Sequence, residues 1–250
     1  VPEGDSLRRA ARALAALVGE TVEASAPHPR GSAVARAIDG HVLRAVEPIG
    51  KNLLLRFDDD VVVHSHLGMR GRWRVVPTGT AQRGLPWLVL RTAALEARLF
   101  NGTLLRLARR SDLRLGPDLL AGDTEPGAVA RRVLSSDPER LLGDVLLDQR
   151  LVAGIGNMWL AELLWHGRLS PWARVGRVEP EALAGSLAWA QVEMRRAVDG
   201  ARPVRAVYRR AGRPCPRCGT AIRSRGLGDR NRTAYWCSAC QLPGPAESAV

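Results

Sequence analysis

A chain of 250 residues that is 46% hydrophobic is long enough for one sizeable core or two modest ones, and nothing in its composition signals disorder. Its formal charge of +12 and isoelectric point near 11.1 favour a polyanionic partner, because such binding releases condensed counterions, and nucleic acid is the expected one. No apolar run reaches the roughly 18 to 20 residues that cross a bilayer, and the start lacks a secretion pattern, so a soluble protein of the cytoplasm, without membrane contact, is expected.

After Val1-Pro2-Glu3-Gly4-Asp5, apolar Leu7, Ala10, Ala11, Leu14, Leu17 and Val18 recur at helical spacing. This predicts one amphipathic helix, capped by Asp5 or Ser6 and ended by Gly19. From about residue 40 to 110 the pattern changes to short β-branched and aliphatic runs divided by Gly, Asp and Pro: 53–57, 61–63, 73–76, 87–90 and 104–107. These predict a β-sandwich or flattened barrel. Beyond Leu115-Gly116-Pro117-Asp118 the helical period returns. Leu141, Leu142, Val145 and Leu146 share one face; after a break, Met158, Ala161, Leu164 and Trp165 share another. A separate helical domain follows, while residues 226–232 and the tail after Gln241 read as loop and loose end. The expected fold class is α+β and multidomain: a β-sandwich domain with a helix over 1–120, a helical domain over 121–205, a cysteine ribbon over 206–241 and a tail over 242–250.

Charge is concentrated. Residues 195–232 hold twelve Arg against Asp199 and Asp229, so ten of the twelve net positive charges fall in this stretch. An Arg-rich genome explains Arg in place of Lys, but not the clustering. In the same region Cys215-x2-Cys218 and Cys237-x2-Cys240 stand eighteen residues apart. Two such knuckles supply four thiolates to one tetrahedral zinc ion, structural because no position stays open. Arg223, Arg225, Arg230 and Arg232 lie between the knuckles, where guanidinium groups can fork onto phosphate oxygens.

Other signals are individually weaker. The segment Leu151-Val152-Ala153-Gly154-Ile155-Gly156-Asn157 breaks two helices, either as an anion site at a helix N-terminus or as a tight turn with Asn157 as its cap. Pro2 is a secondary amine when exposed at the terminus, able to attack a sugar carbon, with Glu3 beside it to move protons; Pro at position two also has ordinary roles in N-terminal processing. Lys51 is the sole Lys among 37 basic residues, at a turn before an apolar run, which points to a need for a titratable ammonium. His64 and His66 share a strand face and read as a structural pair without a third metal ligand.

In this order, Pro2-Glu3-Gly4-Asp5, Gly50-Lys51, His64-Ser65-His66-Leu67-Gly68-Met69, Leu115-Gly116-Pro117-Asp118, Asp148-Gln149 through Gly156-Asn157, Tyr208 and Tyr235-Trp236-Cys237 resemble the formamidopyrimidine-DNA glycosylase and endonuclease VIII family. The opening is similar to the endonuclease VIII branch, which favours oxidised pyrimidines. The resemblance implies a helix-two-turns-helix domain between the sandwich and a zinc finger, and a monomer that acts on damaged double-stranded DNA. It implies Pro2 as nucleophile, Glu3 as general acid/base, Lys51 as a catalytic-site amine, and Asn157 with Arg232 as a phosphate clamp. Met69 falls where the family places a residue that fills the gap left by an extruded base; a core methionine is the other reading. The activity implied is a glycosylase and abasic-site lyase working through a Schiff base on Pro2, with strand scission by β,δ-elimination. The alternatives are a purine-directed member of the family and a non-catalytic zinc-ribbon DNA-binding protein. Val1 must be removed for Pro2 to be an amine; Trp159 stands where relatives usually carry Tyr, and the Arg-Phe pair of the purine branch is absent from 107–115.

Overall fold

A computed structural model describes residues 2–108, 113–203, 205–228 and 231–241. Val1, Arg230, the expected tail and part of the 107–115 segment lie outside the described residues. The chain forms two compact units, residues 1–114 and 115–250.

In the first unit, helix α1 (Gly4–Leu14) buries Leu7, Ala11 and Leu14, one stripe of a 3.6-residue period. It starts earlier than the sequence predicts. Glu3, in extended conformation, is the N-cap, and its carbonyl already accepts the amides of Ser6 and Leu7. Asp5 therefore sits inside the first turn, where it suits the helix dipole and meets Arg9 at 2.9 Å. A tightened turn follows over Ala15–Leu17, and Gly19 closes the segment at φ 93°.

Strands β1 (Glu23–Ser25), β2 (Leu43–Ile49), β3 (Asn52–Phe57), β4 (Val62–His66), β5 (Arg72–Pro77), β6 (Leu88–Arg91), β7 (Leu95–Phe100) and β8 (Leu104–Leu107) form two antiparallel sheets, ordered β1-β6-β7-β5 and β2-β3-β4-β8. Leu53, Leu55 and Val63 from one sheet share a core with Leu88, Leu90, Ala97 and Leu99 from the other, which makes the unit a sandwich. Helix α2 (Ser32–Ile38) adds Val34, Ala35 and Ile38 to that core.

The second unit contains α3 (Pro126–Leu134), α4 (Leu142–Leu147), α5 (Asn157–His166) and α6 (Pro180–Val198), followed by a hairpin of β9 (Arg223–Leu227) and β10 (Arg232–Trp236). Residues 115–120 belong to this unit because Ala153 N–H donates to the Pro117 carbonyl and Leu119 N–H to the Ala153 carbonyl. The ribbon shares one core with the helices: Cys215, Ile222, Leu227, Ala234 and Cys237 pack with residues such as Leu146, Leu164 and Leu187. The expected loop over 226–232 is partly strand, since Gly226 and Leu227 belong to β9 and Arg232 to β10, and Arg223 and Arg225 lie on β9. The signal was hidden because only Leu227 of β9 is buried, so no apolar alternation marks the strand. Among the described residues no helix is long and apolar enough to cross a membrane.

Candidate active site and nucleic-acid interface

The first unit carries Pro2 and Glu3 at the start of α1, Lys51 in a turn of the sheet β2-β3-β4-β8, and His64 and His66 on its strand β4. Pro2 is half-buried directly ahead of α1, and Glu3 is 1% exposed, with a side chain that does not cap the helix. Helix α1 packs on β2 and β3, the strands joined by the turn that holds Lys51. Ile49 faces Asn52 across these strands, which leaves Gly50 and Lys51 as a two-residue turn. Gly50 takes φ 58°, the positive first position of a II′-type hairpin, so Lys51 keeps ordinary backbone geometry.

Lys51 has a specific electrostatic neighbour. The His66 imidazole is held below its usual range, first by burial and then by the Lys51 ammonium. His66 Nδ1 accepts the Gly68 amide at 3.1 Å and lies 2.9 Å from Thr103 Oγ1, which places the proton of the neutral ring on Nε2. His64 is 3% exposed. Asn52 donates through Nδ2 to the Ile49 carbonyl, so its Oδ1 receives the His64 Nε2–H at 2.8 Å. Among the described residues neither histidine joins a group of metal-ligating side chains. Met69 is 64% exposed in the loop between β4 and β5, a loop closed by Gly71 N–H to the Leu67 carbonyl. The core-methionine reading fails, because this turn points the side chain to water.

In the second unit, residues 148–156 form the break between α4 and α5. Gln149 fastens it, donating to the Leu147 and Ile155 carbonyls and accepting the Gly154 amide at 3.0 Å. Asp148 is held down to about 2, first by its hydrogen bonds from the Arg150 side chain, with the Arg140 charge also contributing. Asn157 is the first residue of α5 and not its cap; Gly156, extended at φ −122°, takes that position. The Asn157 side chain instead donates through Nδ2 to the Thr233 carbonyl at 2.7 Å, and its Oδ1 is buried with no hydrogen-bond partner among the described residues. Thr233 follows Arg232, so the break and the ribbon hairpin are brought together. Arg232 lines a cavity of about 690 Å³ with Arg140, Asp144, Asp148, Gln149 and Arg150, a concave surface with three guanidinium groups and two carboxylates.

The four cysteines meet. Their Sγ atoms all lie within 4.8 Å of one another, with Cys215–Cys240 at 3.9 Å, Cys218–Cys237 at 3.5 Å and Cys218–Cys240 at 3.4 Å. A tetrahedron with metal–sulfur bonds of about 2.3 Å has edges of about 3.8 Å, so the quartet fits one zinc ion. The thiols also oppose one another: hydrogen bonds from Thr220 draw Cys218 down to about 6, while burial and then Cys218 push Cys240 up to about 12. A divalent cation removes that conflict by holding all four as thiolates.

Sequence reasoning missed two organising residues. Glu162, 1% exposed on α5, accepts the amides of Ala206, Val207 and Tyr208 at 2.8 to 3.1 Å, and burial, against these bonds, pushes its carboxyl up. The available signal was one acid inside an otherwise apolar helix. Gln241, fully buried, accepts the Cys237 amide at 2.9 Å and donates to the Leu169 carbonyl at 2.9 Å.

Comparison with known proteins agrees with this geometry. The profile of the formamidopyrimidine-DNA glycosylase N-terminal domain matches residues 1–112, and that of the formamidopyrimidine-DNA glycosylase H2TH domain matches 115–205. A probable endonuclease 8 2 of Streptomyces coelicolor is 40% identical over 271 residues, which cover 98% of this chain and 95% of its own. The DNA-(apurinic or apyrimidinic site) lyase Nei2 of Mycolicibacterium smegmatis is 39% identical over 257 residues, covering 96% and 99%. The Lactococcus lactis Fpg, solved in complex with DNA containing an abasic site, has the same fold: TM-score 0.82 at 20% identity over 96% of this chain and all of that one. The chain belongs to the formamidopyrimidine-DNA glycosylase family.

Proposed function

We propose that this chain is a bifunctional DNA glycosylase and abasic-site lyase that excises oxidised bases, pyrimidines foremost, from duplex DNA. The observation that carries the reading is the Glu3 carboxyl, 1% exposed and adjacent to Pro2. Removing a carboxyl from water is costly, and its place directly after Pro2, at the start of α1, suits a proton carrier for the neighbouring amine. Once Val1 is removed, the Pro2 nitrogen attacks C1′ of the damaged nucleotide as the base leaves with its bonding electron pair, and the proton released from the Pro2 N–H goes to the departing base. Glu3 protonates the ring oxygen as the sugar opens, leaving an iminium between Pro2 and C1′. The iminium acidifies the C2′ proton; its loss expels the 3′ phosphate, and a second elimination expels the 5′ phosphate.

Lys51 acts at the extruded nucleotide, Met69 fills the gap in the base stack, and Asn157 with Arg232 holds the backbone phosphate. Cys215, Cys218, Cys237 and Cys240 hold one structural zinc ion, which fixes the hairpin bearing Arg232. The opening Pro2-Glu3-Gly4-Asp5, similar to that of the endonuclease VIII branch, supports pyrimidine lesions over purine ones. Borohydride trapping tests the reading, using the processed protein, duplexes with an oxidised pyrimidine, an oxidised purine or an abasic site, and a Pro2→Gly control. An adduct mapped to residue 2 on the pyrimidine duplex is expected. An adduct on the purine duplex alone reassigns the substrate. With a free Pro2 established by intact mass, no adduct and no nick on any duplex leaves a DNA-binding protein without chemistry.

A further inference from the structure

The first cysteine knuckle is docked on the C-terminal end of α5 by contacts that converge on Trp165. The indole Nε1–H donates to Cys215 Sγ at 3.4 Å. Arg217, between the two cysteines of that knuckle, places its guanidinium 4.2 Å from the centre of the Trp165 ring. The same guanidinium donates to the carbonyls of Trp165 at 3.0 Å and His166 at 3.3 Å, in the last turn of α5, where the Trp165 carbonyl also receives the Arg168 amide at 3.3 Å. Trp165 is half-buried, and its N–H is a donor only, so sulfur is the group it can serve.

Four thiolates around a divalent cation leave two negative charges on sulfur, and donors outside the coordination shell stabilise that charge. We infer that Trp165 is a positioning residue for the metal centre: its N–H bonds the Cys215 thiolate and raises the ribbon's affinity for its ion, with Arg217 holding the ring in place. This rests on the zinc assignment above.

The test uses the full-length protein loaded with Co2+ in place of Zn2+, and the cobalt spectrum of the unaltered protein checks the four-thiolate site independently. Trp165→Phe keeps an aromatic ring and removes the N–H. The expected result is a shift of the thiolate-to-cobalt charge-transfer band to lower energy, together with zinc affinity weakened by about tenfold in chelator competition. Arg217→Gln leaves the indole N–H in place, so its band should move less than that of Trp165→Phe. An unaltered protein with the four-thiolate spectrum and a Trp165→Phe variant identical to it in band and affinity overturns the inference; so does an Arg217→Gln shift as large as that of Trp165→Phe. A missing four-thiolate spectrum in the unaltered protein overturns the zinc assignment and the inference with it.

Discussion

The Asn157 side chain donates to the Thr233 carbonyl at 2.7 Å, joining residues 76 apart in sequence. One amide thus ties the start of α5 to the strand that begins with Arg232. Asn157→Ala removes both this tie and a phosphate ligand of the proposed clamp. Binding to a duplex with an abasic-site analogue should weaken by about tenfold, in line with loss of one charge-assisted contact of about 1.5 kcal/mol. Fluorescence anisotropy at fixed salt measures it. Asn157→Asp should bind more weakly still, since a carboxylate would face both the carbonyl and the phosphate; equal binding by all three proteins would remove Asn157 from the interface.

Asp148 supplies a pH signature. Its folded pKa, about 2, lies below the ordinary 3.8, because Arg150 hydrogen-bonds its charged form. Its contribution to stability is present above the unfolded value and is lost as pH falls from about 4 through 2. Solvent at the exposed Arg150 screens the pair, so about 1 kcal/mol is expected. Urea unfolding at pH 5 and pH 2.5 should show a smaller acid loss in Asp148→Asn than in the unaltered protein. Parallel losses in both would contradict the assignment.

Met69 is exposed, so Met69→Ala should change thermal stability by less than about 0.5 kcal/mol. Its proposed task is to occupy the gap in the stack, so base excision should slow by about tenfold while nicking of a preformed abasic site changes less. Single-turnover rates on the two substrates separate these effects. Equal slowing on both would point to general DNA binding.

Metal removal should act on the second unit. Cys215 and Cys237 lie in the same core as the helices, so chelation uncovers apolar surface there. Amide exchange should rise across 205–241 and in α5 while the first unit keeps its protection. Uniform exchange across both units would show that the ion does not organise the ribbon locally.

Much of the fold was legible because its local chemistry is ordinary. Strands β3, β4 and β5 read as aliphatic and β-branched runs between turn residues, and the cysteine quartet followed from spacing. Strand β7 escaped because Leu95-Glu96-Ala97-Arg98 carries charges at buried positions. Arg98 and Glu96 meet at 2.5 Å, Arg91 joins Glu96 at 2.8 Å, and Arg98 reaches the Thr80 carbonyl, a network that makes a charged strand tolerable inside a sheet. Leu95, Ala97 and Leu99 do alternate with these charges and face the core, a two-residue period that could have marked the strand, but it does not encode which ion pairs form. At the candidate site, Lys51 and the knuckles stood out by residue type. Glu162 did not, because its partners are backbone amides of 206–208, which any sequence supplies. The start of α1 shifted for a similar reason: the Glu3 carbonyl, not a side-chain cap, opens the helix.

The hairpin is seated against α4 with no room to spare. A side chain at Gly143 would press within 2.6 Å of Leu227, and one at Gly228, where φ is +59°, would run into the Asp144 carboxylate. The ribbon is therefore no portable cassette. Transplanted onto a related helical domain, it would sit proud of its host unless the host helix carried a glycine where α4 has Gly143, and the hairpin that bears Arg232 would then stand at the wrong height.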